Sequence, residues 1–169
     1  AGAQGLVHWS GNFDEIQDFE GQIRALSGGT GLMTDADFNT GTRSQPLGDP
    51  KAGLSADLDA LATYVASLNS FASSPYRNVG NTLTPQGEAG RLIFNAQGCA
   101  ICHSGLVFTD SSTGVVHDIG TLKPTSGSRL GGPLVGIDTP TLRNAWKTAP
   151  YLHDGSALTL GDAVTAHAG

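Results

Sequence analysis

Charged side chains are scarce in this sequence. Asp, Glu, Lys and Arg make up 14% of its 169 residues, and acidic residues outnumber basic ones to give a formal net charge of −6. A chain of this kind is not expected to bind nucleic acid or an anionic membrane surface. The sequence also contains no run of 18 apolar residues, so no membrane-spanning helix is predicted.

Cysteine is equally rare. The two that occur, Cys99 and Cys102, are spaced as CxxC, and His103 follows directly. A structural zinc site needs four ligands, usually from two such pairs, and there is no second CxxC. A thioredoxin-type pair belongs to a βαβ pattern, which the surrounding sequence lacks. CxxCH is the attachment signature of haem c, in which both thiols bond to the haem and the histidine is the proximal iron ligand. We therefore expect one covalent haem c.

The first ten residues are AGAQGLVHWS. They include no initiator methionine and no signal-peptide pattern, so we expect a mature or cut form of the protein. Haem is normally joined to CxxCH after export. The expected compartment is therefore the periplasm or the extracellular space.

Apolar residues at helical spacing and capping residues predict four helices in an all-α fold. Ser55 and Thr84 are expected N-caps, Pro85 suits the first helical position, and Thr159 and Asp162 have capping-box spacing. No strand is predicted, and GVVHDIG is short and bounded by glycines. The 24 glycines and 8 prolines predict long irregular loops. The predicted helices span residues 13–26, 55–71, 85–97 and 160–167.

Residues 83–169 resemble the C-terminal haem domain of bacterial di-haem cytochrome c peroxidases and their MauG-like relatives. The resemblance rests on GEAGRLIFNAQGCAICHSG followed by FTD, HDIGT, TPTLRNAWKTAPYLHDGS and TLGDAV. The TPTLRN…APYLHDGS string is specific, because it recurs in that family at this distance from CxxCH. The resemblance implies a class I cytochrome c fold, and in the family two such units stand in tandem, each with its own haem.

The resemblance also implies a two-part organisation. Residues 1–72 are interpreted as part of a first cytochrome c-like unit without its own CxxCH, residues 73–82 as a linker and residues 83–169 as the haem domain. LSADLDALATYVASLN resembles the closing helix of such a unit, and LVHWSG resembles YLHDGS. The second unit stops at TAHAG, where its closing helix would begin. We therefore expect another chain or segment to complete the units and to cover the Gly90 and Phe94 face of the third helix.

The sixth iron ligand implied by the resemblance is His167. In that family the distal ligand falls fourteen residues after the histidine of the HDG motif, which is His153 here. Leu160, Val164 and His167 would also share one face of the last helix. The remaining candidates are Met33, which is the only methionine, His8, His117 and an open or water-bound position.

Five further residues receive roles from the resemblance. His153 would lie near the haem without binding iron. Arg143 would pair with a haem propionate, since a guanidinium suits a carboxylate, and Pro140 would present its carbonyl to the proximal histidine or pack near it. The carbonyls of Thr148 and Pro150 match calcium-binding positions. The ordinary alternatives are a hydrogen-bonded loop histidine, a surface arginine and simple turn residues.

Two functions are compatible with these features. The favoured one is a c-type cytochrome that exchanges single electrons with a redox partner protein as part of a larger oxidoreductase. The alternative is a fragment of a di-haem peroxidase or MauG-like oxidising enzyme. A sixth ligand at His167 favours the carrier, because peroxide reduction needs a free position on the iron. In the peroxidases that open haem belongs to the N-terminal domain, whose CxxCH this sequence lacks.

Overall fold

The computed structural model describes residues 5–26 and 28–167, which form short helices joined by long loops. No helix in these ranges is long and apolar enough to cross a lipid bilayer. The α-helices within them are α1 (Glu20–Ala25), α2 (Asp35–Phe38), α3 (Ala56–Ser67), α4 (Pro85–Ala96) and α5 (Leu160–Ala166). The 3-10 turns are Ile16–Phe19, Cys99–Ile101, Ser111–Thr113 and Ala145–Lys147. The two-residue strands are β1 (Val116–His117), β2 (Ser128–Arg129), β3 (Gly132–Pro133) and β4 (Ile137–Asp138).

Three of the four predicted helices form, and they begin where the capping residues indicate. At each start a hydroxyl accepts a hydrogen bond from the backbone N–H three residues on. Such a bond satisfies one of the N–H groups that the first helical turn leaves unpaired. The residues that provide these hydroxyls are Ser55, Thr84 and Thr159.

The first predicted helix, residues 13–26, starts later than expected. Phe13 is extended, and its carbonyl accepts the Val7 N–H at 2.8 Å. The Asp18 carboxylate accepts the Glu15 N–H at 3.4 Å. The helical backbone therefore begins only at Ile16, as a 3-10 turn that leads into α1.

Helix α2 and the four short strands lie outside the predicted helices. Helix α2 forms within residues 27–53, where the Thr34 hydroxyl accepts the Asp37 N–H at 3.1 Å. The prediction of no strand in GVVHDIG was wrong, because this segment contains β1. β1 pairs antiparallel with β4, and β2 with β3. Two-residue strands have no periodicity of their own and depend on distant partners. They form no sheet layer, and the all-α class I cytochrome c assignment stays a prediction.

The buried centre of the N-terminal half lies where α3 packs against the turn before α1. Leu58 of α3 is fully buried, and Phe13 and Met33 are the other buried large apolar side chains in residues 5–26 and 28–82, here called the N-terminal half. The Gln17 amide of the turn donates to the Asp59 carboxylate of α3 at 2.9 Å. This half therefore combines a small apolar core with polar bonds between its elements.

A buried carboxylate organises the loop that follows α1. Glu20 is fully buried, and its oxygens accept the Leu32 N–H at 2.8 Å, the Met33 N–H at 3.1 Å and the Arg24 Nε–H at 2.7 Å. Burial raises the pKa of Glu20, but these donors together lower the pKa below its usual value. The charged form therefore stabilises the fold above the usual carboxyl pKa. This stabilisation is lost as the pH falls through the lower folded-state pKa.

Replacing Glu20 with glutamine is expected to reduce the free energy of unfolding by about 3 kcal/mol at neutral pH, the lower end of the cost of breaking a buried ion pair. The new amide group would face the N–H donors of Leu32 and Met33. Urea unfolding measures the loss, which should shrink in acid as Glu20 of the wild type takes up a proton.

Asp35→Asn is the matched control for this substitution. Asp35 bonds the same Arg24 guanidinium at 2.6 Å, but its side chain is 85% exposed. Exposed ion pairs contribute about 0–1 kcal/mol, so the control should be nearly as stable as the wild type. Equal losses in the two variants would show that burial of Glu20 is unimportant.

The N-terminal segment is bonded to the loop that contains β2 and β4. The Trp9 carbonyl accepts the Asp138 N–H at 2.7 Å, and the Ser10 carbonyl accepts the Arg129 guanidinium at 2.9 Å. The Asn12 side chain adds two more bonds to the same loop. The two predicted units are therefore in direct contact within this chain.

The backbone of residues 7–13 is repeated in residues 151–157. In each segment the first N–H donates to the last carbonyl, at 2.8 and 2.7 Å. The second residue, His8 or Leu152, has a φ of 67° in both segments, and a glycine three residues later has a φ of 62° or 68°. A left-handed conformation at a histidine or a leucine is uncommon, so its recurrence marks the two segments as one structural motif.

The repeat continues into the helix that follows each segment. The acid three residues after the N-cap, Asp18 or Asp162, accepts the N–H of the N-cap residue. LVHWSG and YLHDGS therefore occupy similar places. Their register differs by one residue from a direct alignment of the letters, because Trp9 rather than His8 matches His153.

Candidate haem site

Helix α4 ends immediately before the CxxCH motif. Gly98 follows it with a φ of 75°, a conformation that favours glycine at the end of a helix. The 3-10 turn then carries Cys99, which is exposed, and leads to Cys102, which is half-buried; both thiols are free. Burial, aided by the negative charge of Asp110, raises the pKa of Cys102. Two free thiols on one short turn are what double attachment of haem c requires.

His103 follows this turn, and backbone carbonyls surround its ring. Its Nδ1 lies 3.2 Å from the Phe108 oxygen, which favours a proton on Nδ1 and leaves Nε2 available to a metal. Burial lowers the pKa of His103, the carbonyls of Phe108 and Pro140 act in the opposite direction, and His167 lowers it further. The net pKa lies below the usual value, so the neutral, metal-binding form prevails at neutral pH.

The structure brings His103 and His167 together. Their ring centroids are 6.3 Å apart and their planes meet at 49°. Metal–imidazole bonds are about 2.0–2.1 Å long, so two rings at this separation could both bind one metal ion. The Nδ1 of His167 lies 2.7 Å from the Ala163 carbonyl oxygen, so this ring also keeps Nε2 for a metal. The two rings therefore lie close together, and each has an Nε2 that its backbone contact leaves available.

The other candidates for the sixth ligand have different surroundings. Met33 is buried in the N-terminal half. The Nδ1 of His8 lies 2.8 Å from the Ser10 hydroxyl. The Nε2 of His117 lies 2.7 Å from the Asp110 carboxylate. Of the candidates, His167 is the one whose ring is in contact with that of His103 in the described residues.

The C-terminal half buries little apolar surface of its own. In residues 83–167 the single buried apolar side chain is Ala157, whereas larger apolar side chains of the motif and of α5 are exposed. Ile101 within the motif is 79% exposed, and Val164 on α5 is 71% exposed. A haem bound at the motif would supply apolar area against which such side chains could be buried. The residues present therefore fit haem c.

The Gly90 and Phe94 face of α4 is partly packed. Phe94 is half-buried, with its ring 6.4 Å from that of Phe108 in an edge-on arrangement and 6.5 Å from that of His103. At Gly90, a Cβ would meet no atom of another element within 4 Å. The cover expected from another chain or segment stays a prediction for the Gly90 end of this face.

Arg143 and His153 contact neighbouring loops. The Nε and Nη2 of Arg143 donate to the Leu106 carbonyl at 3.1 and 2.9 Å, and the guanidinium lies 5.3 Å from the centre of the Phe71 ring. Arg143 thus stabilises the loop after the CxxCH motif through two hydrogen bonds. The pairing of Arg143 with a haem propionate stays a prediction. The Nε2 of His153 lies 2.8 Å from the Ser126 hydroxyl. Its position near a haem is likewise untested.

The predicted calcium-binding residues, Thr148 and Pro150, are exposed. The Thr148 hydroxyl lies 3.5 Å from the Ala145 carbonyl. In residues 5–26 and 28–167, the one cluster of three His, Cys, Asp or Glu side chains lies elsewhere. Calcium at these residues therefore rests on the resemblance alone. The Pro140 carbonyl acts to raise the pKa of His103, and its role beside a haem stays a prediction.

That cluster was not predicted from the sequence. Cys102, Asp110 and His117 place a sulfur, a carboxylate oxygen and a ring nitrogen within 4.8 Å of one another. His117 is positioned by the pairing of β1 with β4. Asp110 is positioned by its neighbour Thr109, whose hydroxyl donates to the Thr139 carbonyl at 2.5 Å. The FTD and HDIGT strings contain the two polar residues, but no local pattern indicates that they meet.

Three curated proteins are similar to this chain in sequence. Hydrazine synthase subunit gamma of Kuenenia stuttgartiensis is 31% identical over 144 residues, which cover 63% of this chain and 40% of that protein. Cytochrome c551 peroxidase of Nitrosomonas europaea is 35% identical over 94 residues, covering 50% and 27%. Cytochrome c peroxidase of Escherichia coli is 32% identical over 123 residues, covering 63% and 26%. The chain resembles bacterial cytochrome c peroxidases.

This similarity supports the peroxidase-like relationship that the motifs indicate, while the assignment to a C-terminal, MauG-like domain stays a prediction. The chain spans only 26–40% of the lengths of these relatives, so the activities of the whole proteins do not carry over. A solved structure of Kuenenia stuttgartiensis hydrazine synthase under 20 bar xenon overlaps with a TM-score of 0.49 at 31% identity, covering 62% of this chain and 44% of that one. That score is too low to define a shared fold. A scan against protein-family models gives no match.

Proposed function

We propose that this chain is a c-type cytochrome that holds one haem covalently and relays single electrons. Cys99 and Cys102 would form the thioether bonds, and His103 and His167 would bind the iron from opposite sides. The observation that carries this proposal is the 6.3 Å separation of the two imidazole rings. When bound, the haem supplies reversible one-electron chemistry. The chain supplies attachment, two ligands and a surrounding apolar surface.

The two imidazoles favour a carrier over an enzyme. Peroxide must reach the iron before it is reduced, with acid–base groups beside it. An iron bound by both His103 and His167 offers no such position. The similarity to two cytochrome c peroxidases favours the alternative, in which the chain is part of a peroxidase. In that case this haem would pass electrons to a catalytic centre in another segment.

We also place the chain within a larger periplasmic or extracellular oxidoreductase that has a redox partner protein. The backbone repeat supports a first cytochrome-like unit in residues 1–72. When residues 7–13 are aligned with residues 151–157, Ile23 matches His167. The side chain of Ile23 has no atom that can bind a metal. The helix of the first unit therefore offers no axial ligand at that place. Another chain or segment with its own haem motif would complete the unit.

Intact mass tests the attachment. We expect the polypeptide mass plus one haem, with no thiol left to react with an alkylating reagent under denaturing conditions. Because each thiol makes its own bond, Cys99→Ser should retain a covalent haem through Cys102. A mass without haem, or two reactive thiols, would contradict the proposal.

Stopped-flow mixing with hydrogen peroxide separates the carrier from the enzyme. The reduced carrier should bleach slowly and without saturation, and it should exchange electrons rapidly with a small cytochrome or copper protein. Fast, saturable turnover with a redox dye as electron donor would establish the peroxidase instead.

A further inference from the structure

The Asp110–His117 pair adjoins the proposed haem attachment point and has no part in attachment or ligation. Its two side chains meet through Asp110 Oδ2 and His117 Nε2 at 2.7 Å. Both lie within 4.8 Å of the ligand atom of Cys102, whose sulfur joins the haem in the proposed function. The pair is only partly open to solvent, with side-chain exposures of 13% for Asp110 and 30% for His117.

A charge at this pair would interact with a charge on a haem joined to Cys102, because the pair is partly buried and electrostatic screening there is weaker than in water. Reduction of ferric haem removes one positive charge. A proton that binds the free ring nitrogen of His117 restores one, beside the carboxylate of Asp110. The two events therefore favour each other, as linkage requires.

We propose that Asp110 and His117 form a proton-binding site whose occupancy is coupled to the oxidation state of the haem. One electron from a one-electron donor such as dithionite reduces the iron, and one solvent proton binds His117 to give an imidazolium that is paired with the Asp110 carboxylate. Reoxidation reverses both steps, and no other bond is made or broken. The inference rests on the proposed attachment at Cys102.

The surroundings of His117 suit this role. Ile137 of β4 lies opposite His117, and Asp138, the next residue, lies opposite Val116. Asp118 follows His117 along the chain. Burial raises the pKa of Asp110, but hydrogen bonds with Thr139 and His117 have the opposite effect and outweigh it. The net pKa of Asp110 is therefore below the usual value. The carboxylate is therefore ionised at neutral pH, and it lies 2.7 Å from the His117 ring nitrogen. On the motif side the titratable groups near Asp110 are Cys102 and His103, and the negative charge of Asp110 acts to raise the pKa of each.

The test is a spectroelectrochemical titration of the haem-loaded chain from about pH 5 to about pH 8, the range in which histidine titrates. In the wild type, the midpoint potential should fall as the pH rises, with a slope that approaches 59 mV per pH unit for one proton per electron. His117→Gln keeps a donor for Asp110 but cannot take up the proton, so its potential should be constant over the range. Asp110→Asn removes the negative charge beside His117 and should make the potential less dependent on pH than in the wild type.

Asp118→Asn is the control, since Asp118 is exposed and bonds only the neighbouring Gly120 N–H; it should keep the wild-type slope. A slope that persists in His117→Gln, or a wild-type potential that does not vary with pH, would overturn the inference. Intact mass and the visible spectrum are recorded first for each protein. A chain without covalent haem would refute the proposed function, whereas a loaded chain with a constant potential would refute only the proton coupling.

Discussion

Replacing His167 with alanine is expected to convert a low-spin haem into a high-spin one and to open the iron to carbon monoxide. In the wild type both axial positions would be filled by imidazoles, whose rings are 6.3 Å apart, so reduced protein should bind little carbon monoxide. The variant loses one ligand and should bind it stoichiometrically. Visible spectra of the reduced protein, with and without the gas, measure the change.

Two variants make this result specific. Thr165→Ala lies on the same helix, and its hydroxyl bonds only the Gly161 carbonyl of that helix at 3.0 Å, so it should behave like the wild type. His167→Met should keep the iron low-spin and raise its potential, as methionine ligation does in cytochromes c. If His167→Ala stays low-spin and excludes carbon monoxide, another residue is the sixth ligand.

Removing both thiols is expected to unfold the C-terminal half while the N-terminal half stays folded. Ala157 is the single buried apolar side chain of residues 83–167. Ordering a residue costs about 1–2 kcal/mol of backbone entropy, and full burial of a large apolar side chain returns about 1.5–3 kcal/mol. Without haem this half cannot offset that cost, whereas Leu58 and Glu20 remain buried in the other half.

Hydrogen exchange on Cys99→Ser/Cys102→Ser, prepared without haem, tests this expectation. Protection of α4 and α5 should fall to the level of an unfolded chain, and protection of α3 should persist. Cys99→Ser alone retains one thioether and should protect α4 and α5 nearly as well as the wild type. If α4 and α5 are as well protected in the double variant as in the wild type, the fold of this half does not depend on haem.

Features that depend on neighbouring residues were predictable from sequence. The N-caps at Ser55, Thr84 and Thr159 each act on an N–H three residues away, and the CxxCH motif lies on one turn. The placement of His167 beside His103 was also anticipated, although it required a family resemblance rather than local spacing. Each of these cases needs only a short pattern to be recognisable.

Features that join distant segments were not predictable. The carboxylate of Glu20 meets Leu32 and Met33 across a loop that looked merely polar, and this contact determines how α1 is connected to the rest of its half. The Asp110–His117 pair forms only because β1 reaches β4. The alignment of the two repeated segments was predicted one residue out, because the histidines of LVHWSG and YLHDGS suggested matching His8 with His153. The backbone instead aligns the left-handed residues His8 and Leu152, and with them Gly11 and Gly155.

The bonds between the N-terminal segment and the loop of β2 and β4 have a kinetic consequence. They join residues 116 to 129 positions apart. Closing a loop of this length costs chain entropy before any contact offsets it, and contacts between residues so far apart slow folding. Trp9, Ser10 and Asn12 would therefore find their partners late, after each half has formed its own helices. The docking of one half on the other would then be a separate step in the maturation of the protein, slower than the formation of either half.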